Sequence, residues 1–93
     1  MAVLELSSYE PKQVGDGTQV ILFFGDYELS IINDGYGADQ GLYEIGVFNG
    51  NTMVSLPGIT EEHDTVKGWL TEADVDSIIK KMYFLTGKTP RQI

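Results

Sequence analysis

Thr18 to Phe24 reads TQVILFF, is followed at once by Gly25-Asp26, and then by YELSIIN from Tyr27 to Asn33. Consecutive β-branched and aromatic residues favour a strand. A two-residue loop with glycine first fits a type II′ turn, whose twist suits antiparallel neighbours. A hairpin here commits the chain to an antiparallel sheet. Its second arm alternates, putting Tyr27, Leu29 and Ile31 on one face and Glu28, Ser30 and Ile32 on the other. The first arm does not alternate, and its continuous apolar character predicts burial on both faces.

The pattern repeats downstream. Leu42 to Phe48 alternates, with Tyr43, Ile45 and Val47 facing one way, and Asn49-Gly50-Asn51 signals a second hairpin before a strand over Thr52 to Leu56. Pro57-Gly58 ends that strand, Thr60 to Asp64 reads as an acidic loop, and Val66 to Trp69 fits an extended segment but is too short to assign. Upstream, Val3 to Leu6 predicts a short alternating strand, and Ser7 to Gly17, with Pro11, Gly15 and Gly17, a connection. A helix follows Thr71. Thr71 is a good N-cap, Asp74 stands three residues on, and Glu72 and Asp76 place acids near the positive helix end. Val75, Ile78, Ile79, Met82 and Leu85 form one apolar stripe, and Gly87 is placed for a C-cap. The expected fold is α+β: an antiparallel β-meander of four to five strands with one C-terminal α-helix packed on a face, residues 1–93 forming one domain.

Charge and composition narrow the function. All fourteen Asp and Glu lie at or before Asp76, with only Lys12 and Lys67 among them, whereas Lys80, Lys81, Lys88 and Arg91 follow; the net is −8. An acidic body argues against direct nucleic-acid binding, which needs a basic face. The acids serve either solubility or a basic partner surface. With no cysteine there is no disulfide, thiolate site or cysteine nucleophile. The start MAVLELSSYEP has no signal-peptide pattern, and no apolar run approaches the roughly 20 residues of a membrane span. The expected setting is cytoplasmic, with no membrane partner.

Two stretches invite a ligand. Asn33 to Gly41, NDGYGADQG, has a glutamate twelfth from Asn33, as a calcium loop would, but Gly35 and Gly37 stand where ligands belong and the flanks are strands. It reads as a connection, with Tyr36 its one large side chain and candidate contact. Glu61-Glu62-His63-Asp64 holds the single histidine without a second histidine or helical spacing, so a solvated loop is expected and a divalent site is the alternative. Ser55, His63 and Asp64 could be written as a nucleophile, base and acid, yet no nucleophile-elbow context joins them. No catalytic residue, metal ligand or cofactor is assigned, and no enzyme is expected.

The apolar surplus points elsewhere. If Val20, Leu22 and Phe24 face the helix, Ile21, Phe23 and Ile32 fall on the opposite face, which the N-terminal segment, sheet curling or another chain must cover. Trp69, just before the helix, belongs either to the core edge or to an interface. Ile21, Phe23, Ile32, Tyr36 and Trp69 are the interface candidates. GLYEIGVF and DTVKGWLTEADVDSIIKKM, within about residues 25–87, resemble the small acidic accessory proteins of tailed bacteriophages, especially marine ones. That resemblance implies a non-essential or host-directed binding role, in the host cytoplasm, and brings no catalytic residue. The functional expectation is a non-enzymatic interaction module, a possible homodimer or a binder of another protein. The alternatives are an inhibitor whose carboxylates imitate nucleic-acid phosphates and a small divalent-metal or ligand-binding protein.

Overall fold

In a computed structural model, residues 5–33 and 41–92 are described. The strands are β1 (Lys12–Val14), β2 (Gly17–Phe24), β3 (Tyr27–Ile32), β4 (Tyr43–Asn49), β5 (Thr52–Met53), β6 (Val66–Leu70) and β7 (Arg91–Gln92); α1 (Glu72–Thr86) lies between β6 and β7. The α+β expectation holds, with an antiparallel sheet and one C-terminal helix.

The hairpin forms as its residues dictate. Phe24 pairs with Tyr27 across Gly25-Asp26, and Gly25 takes φ +66°. Asn33 extends the ladder beyond β3: its N–H donates to the Thr18 carbonyl at 3.1 Å, and its side-chain Oδ1 accepts from the Thr18 N–H. The second hairpin closes Asn49 on Thr52, with Gly50 at φ +64°.

Seven strands make a sheet only five strands wide, because each edge is built from two short pieces placed end to end. On the free side of β2, Lys12 to Val14 pair with Gly17 to Gln19, while Arg91 and Gln92 pair with Phe23 and Leu22. The Gln92 side chain joins the two pieces, accepting from the Glu10 N–H at 3.0 Å and donating to the Glu10 carbonyl. On the far side of β4, the Val47 backbone serves both pieces: its carbonyl accepts from Val54 N–H at 2.9 Å, and its N–H donates to the Thr65 carbonyl at 3.3 Å. Short edges offer little template for pairing with another sheet.

Several expectations change. Leu6 lies in a 3-10 turn, Leu6–Ser8, so no strand runs through it; Val3 and Leu4 fall outside the described residues. The Leu6 N–H donates to Asp76 Oδ1 on the helix at 2.8 Å, a tether to α1 in place of a strand partner. The expected connection from Ser7 to Gly17 contains β1. The strand expected over Thr52 to Leu56 ends at Met53, since Leu56 turns to accept from the N–H groups of Ile59 and Thr60. Thr60 is buried in an otherwise acidic loop, because its hydroxyl bonds the Leu56 N–H at 3.0 Å and so satisfies that turn.

The core lies between the helix and one face of the sheet. Val20, Leu22, Phe24, Leu29, Ile31, Ile45 and Val47 meet Val75, Ile78, Ile79 and Met82, with Leu6, Ile59 and Leu70 at the margins. Leu85, expected on the helical stripe, is 58% exposed. At about 100° per residue it sits some 80° from Val75 around the helix, and Thr86 is closer to the centre of the stripe. The Thr86 hydroxyl is satisfied by the Met82 carbonyl at 2.8 Å.

A complete capping box starts α1: Asp74 N–H donates to Thr71 Oγ1 at 3.1 Å, and Thr71 N–H donates to Asp74 Oδ2 at 3.0 Å. Gly87, at φ +68°, closes the other end. Thr71→Ala is expected to cost about 1 kcal/mol, a fall in melting temperature of roughly 4–8 °C for a domain of this size. The Thr71 backbone and hydroxyl bonds hold the Asp74 carboxyl below its ordinary value. Because the folded-state pKa is the lower one, this contribution is present above the unfolded value and is lost as pH falls through the folded value. Thermal melts should therefore show Asp74→Ala less stable than the unmodified chain at neutral pH, with the gap closing in strong acid.

Candidate functional site

Side chains alternate across a strand, so the even positions of β2 that enter the core send its odd positions to the other face. Ile21 and Phe23 are only half-buried there, which corrects the expectation of burial on both faces; Ile32 joins them from β3 and is also half-buried. The register gives the face its layout. One row runs Arg91, Phe23, Glu28, Phe48, Met53; the next runs Ile21, Ser30, Gly46, Val66. Met53 and Val66 lean over Gly46, where a Cβ would come within 3.3 Å of Met53 Cε and 3.6 Å of Val66 Cγ1. The polar groups inside this face are paired where they meet, with Gln19 Nε2 donating to Ser30 Oγ at 2.9 Å. Among the described residues, the single long helix packs on the opposite side, leaving Ile21, Phe23, Ile32, Phe48 and Val66 as an apolar face interrupted by Glu28 and Glu44 and flanked by Lys12 and Arg91.

Trp69 stands apart from that face. Leu70 pairs with Tyr43 and Lys67 with Ile45, so β6 carries one extra residue in a bulge. Trp69 sits in it at φ +59° and is 56% exposed. It is thus a surface residue in the left-handed region, which bulky side chains avoid, and its indole lines an open cleft with Lys67, Ser77 and Lys81. Lys81 reaches from the helix to the Gly58 carbonyl at 3.1 Å.

The loop candidates separate. Tyr36 lies outside the described residues. His63, at φ +61°, meets Glu62 at 3.5 Å with both side chains about nine-tenths exposed, and Asp64 Oδ1 accepts from the Thr65 N–H at 2.7 Å. Ser55 Oγ meets Thr60 Oγ1 at 3.5 Å. Each member of the paper triad is engaged locally, and no group of three or more His, Cys, Asp or Glu among the described residues is arranged to hold a metal ion. Among the described residues the carboxylates are spread over several elements: Asp16 and Asp26 lie in turns at opposite ends of β2, and others lie in the loop before β6 and in the first turns of α1. No helix among the described residues is long and apolar enough to cross a membrane.

A feature that periodicity could not reveal lies on the helix side. Tyr9, Tyr43 and Glu72, from three separate parts of the chain, line a cleft of about 230 Å³ floored by Val20 and Ile31. Burial pushes the Tyr9 hydroxyl up from its ordinary value, keeping it a neutral phenol.

Compared with protein-family models, with curated proteins and with solved structures, the chain matches none.

Strain at Trp69 is testable independently of any ligand. Trp69→Gly and Trp69→Ala lose the same indole packing, but only glycine accepts φ +59° without penalty. In denaturant titrations Trp69→Gly should be the more stable of the two by about 1 kcal/mol, the reverse of the usual order in regular structure.

Proposed function

We propose that this chain is a non-enzymatic interaction module that self-associates weakly through the open face of its sheet. What supports this reading is the half-buried apolar set Ile21, Phe23, Ile32, Phe48 and Val66, over which no described residue packs as a layer. Five strands at about 4.8 Å spacing, each about 20 Å long, present roughly 500 Å² per copy. Stable interfaces bury about 800 Å² per partner. The expected complex is therefore a reversible dimer rather than a permanent one.

Electrostatics set the sign of its salt dependence. Each copy carries a net −8, so two copies repel at low ionic strength, although Glu28 and Glu44 on the face itself are matched in number by Lys12 and Arg91. Salt screens that repulsion and leaves apolar contact largely intact. A carboxylate surface imitating nucleic acid would behave oppositely, since its attraction to a basic partner weakens in salt. The acid distribution over both ends of the sheet favours the first reading.

Sedimentation velocity over a concentration series should show monomer passing to dimer, with the transition moving to lower concentration as salt is raised. Phe23→Glu, at a half-exposed position, should keep the melting temperature within a few degrees and abolish the dimer. A chain that stays monomeric at every concentration and salt would refute self-association.

A further inference from the structure

The cleft beneath the N-terminal segment has its own chemistry, on the helix side of the sheet and independent of self-association. Its floor is apolar, from Val20 and Ile31; two tyrosines, Tyr9 and Tyr43, line it; and Glu72 is the one charged residue among its lining residues. The nearest base in sequence, Lys12, pairs with Gln19, whose parity along β2 puts both on the opposite face of the sheet. The positive end of α1 is about half a unit charge, set against Glu72 and Asp76 in the helix's first turns. The one charge among the described lining residues is therefore negative. At about 230 Å³ the space is below the roughly 300–1,000 Å³ of small-molecule and cofactor sites. It suits one side chain or one compact ion.

We propose that this cleft binds an organic cation, a primary ammonium or guanidinium on a short apolar stem, with the stem on Val20 and Ile31 and the charge held between the tyrosine rings and the Glu72 carboxylate. Tyrosine faces attract a cation through the ring quadrupole. A carboxylate adds direct charge pairing, and an apolar floor selects a cation with a stem over a bare metal ion. The same chemistry could arrive as a free amine or as a lysine side chain of a peptide.

The test is a titration of the ¹⁵N-labelled full chain, at constant ionic strength, with n-butylammonium, 1-pentanol, butyrate and the peptide acetyl-Gly-Lys-Gly-amide. Millimolar n-butylammonium should shift the amide signals of Tyr9, Thr18, Ile31 and Tyr43, while 1-pentanol and butyrate leave them in place. Glu72→Gln and Tyr43→Leu should each weaken binding by about threefold or more. Glu62→Gln, an acid outside the cleft, should not, and melting curves keep the variants comparable. If the peptide binds at least as well as the amine, the ligand is a lysine side chain; if only the amine binds, it is a free small cation. Equal shifts by 1-pentanol, no shift at about 10 mM amine, shifts spread over all the acidic surface, or unchanged affinity in Glu72→Gln would each overturn the proposal.

Discussion

A fifteen-residue helix is about 22 Å long and 10 Å wide, enough to cover the middle of one face of a sheet five strands across and to leave the margins to other segments. Every large side chain with no exposed surface, from Leu22 and Phe24 to Ile79 and Met82, lies in the layer this packing creates. The rest of the chain closes the margins of that layer. Leu6 is tied to Asp76 at one end, Ile59 is turned inward by the Thr60 hydroxyl, and Leu70 leads from β6 directly into the capping box. The other face receives no such layer from the described residues, and its apolar positions stay half-exposed.

The composite edges solve a second problem. An antiparallel meander ends in two strands whose outer N–H and C=O groups would template pairing with another sheet. Here β1 and β7 divide the free side of β2, and β5 and β6 divide that of β4. Each edge piece is two to five residues long, so little continuous backbone is left for another sheet to pair with. The two faces differ in chemistry: one carries Ile21, Phe23, Ile32, Phe48 and Val66 with no described helix over it, whereas the helix side keeps a small cleft with a single lining carboxylate.

Local chemistry made the central elements legible. Gly25-Asp26 and Gly50-Asn51 hold the left-handed glycines their turns require, alternation in YELSII assigns the faces of β3, and the Thr71–Asp74 pairing starts the helix. What escaped was decided at a distance. β7 exists because Arg91 and Gln92 meet β2 some seventy residues earlier in the chain, and Gln92 clamps Glu10 across a separation of 82. No periodicity reports such a pairing in a two-residue strand. Leu85 fits the helical stripe by residue type but lies at its rim, and Trp69 is turned outward by a bulge that only the β4 register reveals. The cleft joins Tyr9, Tyr43 and Glu72, which share no motif. Ile21, Phe23 and Ile32 were placed on the second face by parity alone, and the structure puts them there.

The core has one closed face and one face that no described layer covers. Methyl relaxation in the presence of a soluble, uncharged paramagnetic probe reads that directly, at low salt and at dilutions where the chain is monomeric. Strong enhancement is expected at the Ile21 and Ile32 methyls and little at Leu22, Ile31 and Ile45. Equal protection of both sets in the monomer would show instead that the chain itself covers the second face and that no open face exists.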